Sequence, residues 1–355
     1  HVVREDPVRA GLLYAGTEHG VYVSFDDGGH WQPLSLNLPD VQVSDLVVQG
    51  QDLVIATHGR SFWVLGDVSP LRQYTSAVAA ADAHVFVPSP ALRRMRPAAI
   101  DYWLAAPADS LTIEIRDASG RLARRLTSAA RERGLHRVYW DGRYTGATVF
   151  PGIILEGGDP RRGPLAPPGR YDVRLTSFSG VNRVTRTRSL ELRRDPRVPA
   201  VSDADLHAQF ALALAIRDAT TKANESVLTI RQLTTQLSER AKRAGEGSAA
   251  QAALAPQALA LVDALRAVES ELYQVKNQSS KDKIAFPIKL NDRLTGLRSN
   301  LERGDGAPPA SYRKVFNELS AELNVQLAKL RVLLQRDLAA LNKKLRDAGL
   351  DPVDP

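Results

Sequence analysis

The chain has 355 residues, of which 43% are hydrophobic and 25% are charged, a composition typical of folded globular domains. This length predicts two or three domains rather than one. The chain contains no cysteine, which excludes disulfide bonds, thiolate metal sites and cysteine nucleophiles. It also lacks an apolar run long enough for a transmembrane helix, so no membrane span is predicted.

The formal net charge of +7 is unevenly distributed along the chain. It is −6 over residues 1–84, +10 over residues 85–199 and +3 over residues 200–355. Every basic residue before position 200 is an arginine, and such a regional change predicts separate modules. Because no cluster of basic residues is interleaved with aromatic residues, an arginine-rich solvated surface is favoured over nucleic-acid binding.

The first module, residues 1–84, is predicted to be all-β. Leu12–Ala15 and Val21–Ser24 are short, rich in β-branched and aromatic residues and bounded by glycines, which predicts strands. Leu13–Thr17 aligns with Leu53–Thr57 at an offset of 40 residues. A repeat of about 40 residues built from short strands is typical of a β-propeller blade. The sequence therefore predicts one or two terminal blades, with the other blades preceding His1.

The segment between the two copies, Ser24–Trp31, resembles the Asp-box pattern Ser-x-Asp-x-Gly-x-Thr-Trp. The matching residues are Ser24, Asp26, Gly28 and Trp31, and His30 replaces the threonine. In a hairpin turn we expect Asp26 to accept backbone N–H groups and Gly28 to adopt a positive φ, with Trp31 packed back on the sheet. In the families that carry this box it is structural, so we expect a structural role here.

The second module, residues 85–199, is predicted to be an Ig-like β-sandwich. Its candidate strands alternate in hydrophobicity and are Asp101–Leu104, Leu111–Asp117, Arg137–Trp140 and Tyr171–Thr176. The pattern of Trp140–Arg143 followed by Pro167–Tyr171 resembles the sandwich appended to flagellar hook-capping proteins and to many bacterial exported enzymes. We expect Trp140 to fill the core of this sandwich. The Gly- and Pro-rich stretch Gly146–Pro168 predicts a long ordered loop.

The third module, residues 200–355, is predicted to be an antiparallel helical bundle. Leucines recur in steps of three and four from Phe316 to Leu345, and similar stripes lie within residues 206–241, 254–275 and 290–301. Ser202 is the predicted N-cap of the first helix. A self-contained bundle is the simpler interpretation. The alternative is a homo-oligomer in which an exposed helical stripe pairs two copies of the chain.

Together, the Asp-box, the 40-residue repeat and the paired segments Gly16–Ser24 and Ala56–Trp63 resemble bacterial sortilin-like BNR-repeat proteins. Members of that family are commonly named glycosyl hydrolases or exo-sialidase-like proteins. The resemblance implies an exported protein, periplasmic or secreted, with an N-terminal propeller, an Ig-like linker and a helical C-terminus. The signal peptide of such a protein is not found in this chain.

Candidate catalytic or binding residues are few. Glu18 and His19 follow one repeat strand, and His58 and Arg60 follow its counterpart, so these four side chains are expected near one shared surface. The alternative is that His19 and His58 are repeated turn residues without a chemical role. The seven histidines are scattered, and neither a metal-binding spacing nor a cofactor motif is present, so no metal and no cofactor are predicted.

The sequence thus supports two interpretations of function. The first is a region of an exported propeller protein that binds a protein, peptide or glycan ligand and acts as a scaffold, with other blades as partners in cis. The second is the accessory C-terminus of a sialidase-like glycoside hydrolase whose catalytic groups lie mostly on other blades. A glycosidase needs a pair of carboxylates or a tyrosine nucleophile, and sialidases also use several arginines, so two blades could not hold a complete set.

Overall fold

The computed structural model describes residues 1–127, 129–279, 281–282 and 285–354. By its internal contacts the chain divides into two compact units. The first contains residues 1–142 and 169–193, and the second contains residues 143–168 and 194–355. The first unit consists mainly of β-sheets and the second mainly of helices, as the sequence predicted, whereas the division into domains 1–84, 85–199 and 200–355 stays a prediction.

The first unit opens with two antiparallel sheets in which strand order follows chain order. One sheet has four strands: β1 (Val2–Glu5), β2 (Leu13–Thr17), β3 (Gly20–Ser24) and β4 (Gln32–Pro33). The other has three: β5 (Val43–Gln49), β6 (Asp52–Thr57) and β7 (Phe62–Leu65). The predicted repeat is visible here, because β2–β3 and β6–β7 are equivalent hairpins. The described sheets do not close into a propeller.

The two sheets share one hydrophobic core. Tyr14 and Val23 from the first sheet and Leu46, Leu53 and Ile55 from the second are buried in it together. At Gly16 the sheets approach so closely that an added Cβ would lie 2.5 Å from a side-chain carbon of Val43. A glycine at this position therefore allows the close packing.

After two short helices, α1 (Ser69–Gln73) and α2 (Ser76–Ala79), the first unit continues as a β-sandwich. Its three-stranded sheet has the order β13 (Gly134–Trp140), β10 (Ala98–Leu104), β8 (Ala83–Val85). Its five-stranded sheet has the order β12 (Leu122–Leu126), β11 (Ser110–Asp117), β16 (Gly169–Ser179), β17 (Asn182–Arg193), β9 (Ala91–Leu92). Trp140 is completely buried and lies 5.0 Å from Tyr171 between ring centres, as expected of a core tryptophan.

The second unit is built around one long helix, α3 (Asp203–Gly245), whose 43 residues span about 65 Å. Its N-terminus is capped as predicted: the Ser202 hydroxyl accepts the Asp205 backbone N–H, and the Asp205 carboxylate accepts the Ser202 backbone N–H. The other helices are α4 (Ala249–Ala252), α5 (Ala255–Leu272), α6 (Leu290–Leu301), α7 (Ala310–Val332) and α8 (Ala339–Asp347). Helices α3, α5, α6 and α7 enclose a common core of leucine, valine and alanine side chains.

The last predicted helix is interrupted in one place. Residues Leu333–Leu338 form a π-helical turn between α7 and α8. Leu330, Leu334 and Leu338 are spaced by four residues, which exceeds the period of 3.6 of a regular α-helix. The wider π turn keeps Leu330 and Leu338 buried and Leu334 partly buried against the same core.

The predicted loop Gly146–Pro168 packs on the helices of the second unit. A small hairpin, β14 (Arg143–Thr145) and β15 (Arg162–Leu165), closes its base. The Asp292 carboxylate accepts the backbone N–H groups of Glu156 and Gly157 at 2.9 and 2.6 Å. The buried Glu302 carboxylate accepts the Leu165 N–H at 2.6 Å and also pairs with Arg143 and Arg298. Two carboxylates on or next to α6 therefore hold the loop in place.

Gly157→Ala should destabilise the protein, because the added Cβ would lie 2.6 Å from the Asp292 carbonyl oxygen and the Gly296 nitrogen. Both contacts are with backbone atoms, so helix α6 or the loop must move, at a cost of about 1–3 kcal/mol in the free energy of unfolding. Chemical denaturation with circular dichroism measures this loss. Gly306→Ala is the control, since a Cβ there meets no atom within 4 Å. Equal stability of the two variants would contradict the prediction.

Candidate functional site

The structure places all four predicted site residues on hairpin turns of the two stacked sheets. Glu18 and His19 lie in the turn between β2 and β3, and His58 and Arg60 lie in the turn between β6 and β7. All four side chains are exposed. Those of Glu18, His58 and Arg60 form no hydrogen bond or ion pair with any residue that the structure describes. These three side chains are therefore solvated in this structure.

The two turns use the same local interactions. The Thr17 hydroxyl donates to the Gly20 carbonyl at 3.1 Å, and the Thr57 hydroxyl donates to the Ser61 carbonyl at 2.6 Å. Each turn also contains one glycine with a positive φ, 93° at Gly20 and 82° at Gly59. This shared geometry explains the repeated His-Gly dipeptide as a turn feature.

Both turns are anchored on neighbouring residues of the segment that enters β5. The Gly20 N–H donates to the Val41 carbonyl at 3.0 Å, and the His58 N–H donates to the Gln42 carbonyl at 2.9 Å. In the same segment Asp40 lies 3.0 Å from the His19 ring nitrogen Nδ1. The predicted residues are thus brought to one surface, which we call the turn edge and define as residues 17–20, 35–42 and 57–62.

The turn edge also holds two exposed apolar side chains that sequence reasoning missed. Leu36 is 74% exposed and Phe62 is 76% exposed. Leu36 has a φ of 47°, and Ser61, which precedes Phe62, has a φ of 65°. Non-glycine residues adopt such angles at a cost in strain, and strained residues cluster at binding sites. No sequence signal separates Leu36 from Leu34 and Leu38, which pack into the core.

The Asp-box residues form a compact turn between β3 and β4. The Ser24 hydroxyl donates to Asp26 Oδ1 at 2.8 Å and accepts the Gly28 N–H at 2.9 Å. The Asp26 carboxylate in turn accepts the His30 N–H at 2.8 Å. Gly28 has a φ of 88°, and the Trp31 ring lies 3.8 Å from the point where a Gly28 Cβ would be.

His30, the one departure from the box pattern, bonds to the same aspartate. Its ring nitrogen Nδ1 lies 2.6 Å from Asp26 Oδ2. This side-chain bond, together with the bonds from the His30 N–H and the Ser24 hydroxyl, lowers the pKa of Asp26 from 3.8 to about 2. Among the described residues, every hydrogen-bond partner of the Asp26 side chain lies within the turn, so its carboxylate is occupied by local structure.

Two further features concern cofactors and membranes. In the part of the chain that the structure describes, no three histidine, aspartate or glutamate side chains are grouped so that they could hold a metal ion. Among the same residues, no helix combines the length and apolar character needed to cross a lipid bilayer.

Comparison with known proteins identifies one domain. Residues 92–152 match the FlgD Ig-like domain, which confirms the predicted Ig-like character of the sandwich region. No curated protein matches the chain. Among solved structures, CopC from Methylosinus trichosporium OB3b is 12% identical, with a TM-score of 0.20, over 32% of this chain and 94% of CopC. The protein S.CueP is 9% identical, with a TM-score of 0.17, over 42% of this chain and 76% of S.CueP. TM-scores this low support no conclusion about this chain.

The expected membership of the sortilin-like BNR-repeat family is wrong. The family match falls on the FlgD Ig-like domain, and the comparisons give no support for an Asp-box, BNR-repeat or sortilin relationship. The physical reason is that the box is a short turn stabilised by hydrogen bonds between nearby residues. Its hydrogen bonds join residues two to four positions apart, so the same eight-residue turn can form in unrelated β-sheet proteins.

Asp26→Asn should lower the melting temperature at pH 7, because it removes the charge that the His30 and Ser24 groups bind. Since folding lowers the Asp26 pKa from 3.8 to about 2, its contribution is present above pH 4 and is lost between pH 4 and pH 2. The difference from the wild type should therefore shrink as the pH falls through that range, which calorimetry at several pH values measures.

The matched control is Asp27→Asn, which removes the same charge from the neighbouring residue. Asp27 has a φ of 56°, which asparagine tolerates, and its exposed carboxylate bonds to no described residue. It should show little change at any pH. If both variants melted alike at pH 7, the structural role of the box would be disproved.

Proposed function

We propose that this chain is a ligand-binding and scaffolding region of an extracytoplasmic protein, and that its turn edge binds a peptide segment of a protein ligand. The observation that carries the proposal is the exposure of two apolar side chains at the turn edge: Leu36, on a strained loop, and Phe62, the first residue of β7, directly after the strained Ser61. Exposed apolar side chains held in place by a rigid scaffold are typical anchors of protein interfaces.

The charges at the turn edge suit a peptide better than a uniformly charged ligand. Glu18 and Asp40 contribute carboxylates, and Arg60 contributes a guanidinium. Such mixed charges around apolar anchors provide orientation and specificity, while the anchors provide most of the affinity. A sulfated or sialylated glycan would instead favour several convergent cations.

The scaffolding part of the proposal rests on the outer faces of the two stacked sheets. On the second sheet, Val47, Val54 and Val64 form one cross-strand row on the face opposite the core, and Val47 and Val64 are exposed. On the first sheet, Val3, Ala15 and Tyr22 form a similar row. Because the two sheets already cover each other's inner faces, a further sheet of the same kind would cover an outer row in a blade-like stack.

The extracytoplasmic location is supported by the Ig-like sandwich. Its match is to the FlgD Ig-like domain, and sandwiches resembling it are appended to exported bacterial proteins. A sandwich next to a β-sheet unit provides a rigid spacer, which agrees with a scaffolding role.

To test peptide binding, a random peptide library displayed on phage is selected against the full chain, and the affinities of the selected peptides are measured by titration calorimetry. Phe62→Ser removes one anchor. Leu36→Asn removes the other and also relieves strain, because asparagine tolerates a positive φ. We expect each variant to weaken binding by about tenfold or more, equivalent to about 1.4 kcal/mol.

Val181→Ser is the matched control for these variants, because Val181 is a fully exposed apolar residue on another hairpin turn of the same unit. It should leave affinity unchanged. Peptides that bind both anchor variants as tightly as the wild type would disprove the site. Hydrolysis of aryl-glycosides or sialosides that is lost in Glu18→Gln would instead favour the glycoside hydrolase alternative.

A further inference from the structure

A wide apolar groove runs between helices α5 and α7 of the second unit. Its volume is about 680 Å³. Leu333 of the π turn completes its apolar lining, most of which is contributed by small side chains from both helices: Ala264, Ala267, Val268, Val325, Ala328 and Val332. Val325 is 53% exposed and Val332 is 45% exposed. We propose that this groove is the interface of a homodimer and that α7 of a second copy occupies it.

The side chains of the groove suit a helix as the occupant. On α7, the residues Val325, Ala328, Lys329 and Val332 recur at the spacing i, i+3, i+4, i+7, so they form one helical face. Alanines at the contact allow two helix axes to approach at the short end of the usual range of about 8–10 Å. Two copies of α5 and α7 then form a four-helix arrangement around a two-fold axis.

One charge in the groove has no ion-pair partner among the residues that the structure describes. Lys329 lies on the groove face and forms no ion pair with a carboxylate in the described residues. By contrast, the two basic residues of the adjacent polar pocket, which shares Glu271 and Val325 with the groove, are both paired. Lys289 lies 3.3 Å from Glu271, and Arg293 lies 2.6 Å from Glu322.

The position of Glu271 makes the groove self-complementary. Glu271 and Val325 line the same end of the groove, and Lys329 lies one helical turn further along α7, about 6 Å away in axial rise. Consider two antiparallel α7 helices, one from each copy, that cross near Ala328. In this arrangement Lys329 of one copy lies near the end of the other copy's groove that contains Glu271. Only one oxygen of Glu271 bonds to Lys289, so the other can accept Lys329.

A two-fold axis applies this pairing twice, once for each copy. Isologous interfaces require such reciprocal pairs, in which residue i contacts residue j and residue j contacts residue i. Charge complementarity therefore favours a second copy over an unrelated helix as the occupant. An amphipathic helix from another protein would leave the isolated chain monomeric.

The test is the mass of the full chain in solution, measured by sedimentation velocity over a range of concentrations. We expect a monomer–dimer equilibrium. Lys329→Glu and Glu271→Lys each place like charges opposite each other across the interface, and each should raise the dimer dissociation constant by about tenfold or more. The double variant restores opposite charges and should return to within about threefold of the wild type.

Steric specificity is tested with Ala328→Glu, which should abolish dimers without changing the circular dichroism spectrum. The control is Asn317→Glu, which adds the same charge to an exposed position of α7 outside the groove and should leave the dimer intact. A chain that stays monomeric at every concentration overturns the proposal. So does a dimer that tolerates Ala328→Glu, or a double charge swap that stays as weak as the single variants.

Discussion

The candidate binding surface depends on two backbone hydrogen bonds to adjacent carbonyls. Val41 accepts the Gly20 N–H, and Gln42 accepts the His58 N–H. Because neighbouring peptide units cannot separate, the two hairpin turns are held side by side although about 40 residues separate them in sequence. Side chains on the turns thus occupy one surface, although no hydrogen bond between described residues joins one turn directly to the other.

The loop that carries Leu36 is held from both sides, which allows it to remain strained. Leu34 and Leu38 pack into the core of the stacked sheets, and the Leu38 N–H donates to the Ser35 carbonyl at 2.7 Å. Ser35 in turn lies so close to Gly20 that an added Cβ would meet its hydroxyl at 2.6 Å. With its flanks fixed in this way, Leu36 cannot reach the core, and it remains in a left-handed conformation that costs of order 1–3 kcal/mol. The surrounding packing compensates for this cost.

Much of the fold could be predicted because its signals are periodic or local. The hairpins at Gly20 and Gly59, the capping box at Ser202 and the leucine stripe of α7 are each encoded within a few neighbouring residues. The four polar candidate residues were predicted in the same way, from the repeat, and their role stays a prediction. The exposure of Leu36 could not be predicted from the sequence. Leu34, Leu36 and Leu38 alternate like the apolar residues of a half-buried strand, and only the tertiary packing leaves Leu36 outside the core. The attachment of Glu156 and Gly157 to Asp292 was equally hidden, because more than 130 positions separate the partners.

The Asp-box shows why a match to a short local motif does not establish membership of a protein family. Its bonds among Ser24, Asp26 and Gly28 follow from the geometry of one turn, and they form whatever surrounds that turn. A family is instead defined by long-range packing, which an eight-residue motif does not specify. Function at the turn edge is therefore better argued from Leu36, Phe62 and their charged neighbours than from the box. The same reasoning applies to the groove between α5 and α7. There the charges of Lys329 and Glu271 favour a second copy as the occupant, and the helical fold determines only the spacing of these two residues.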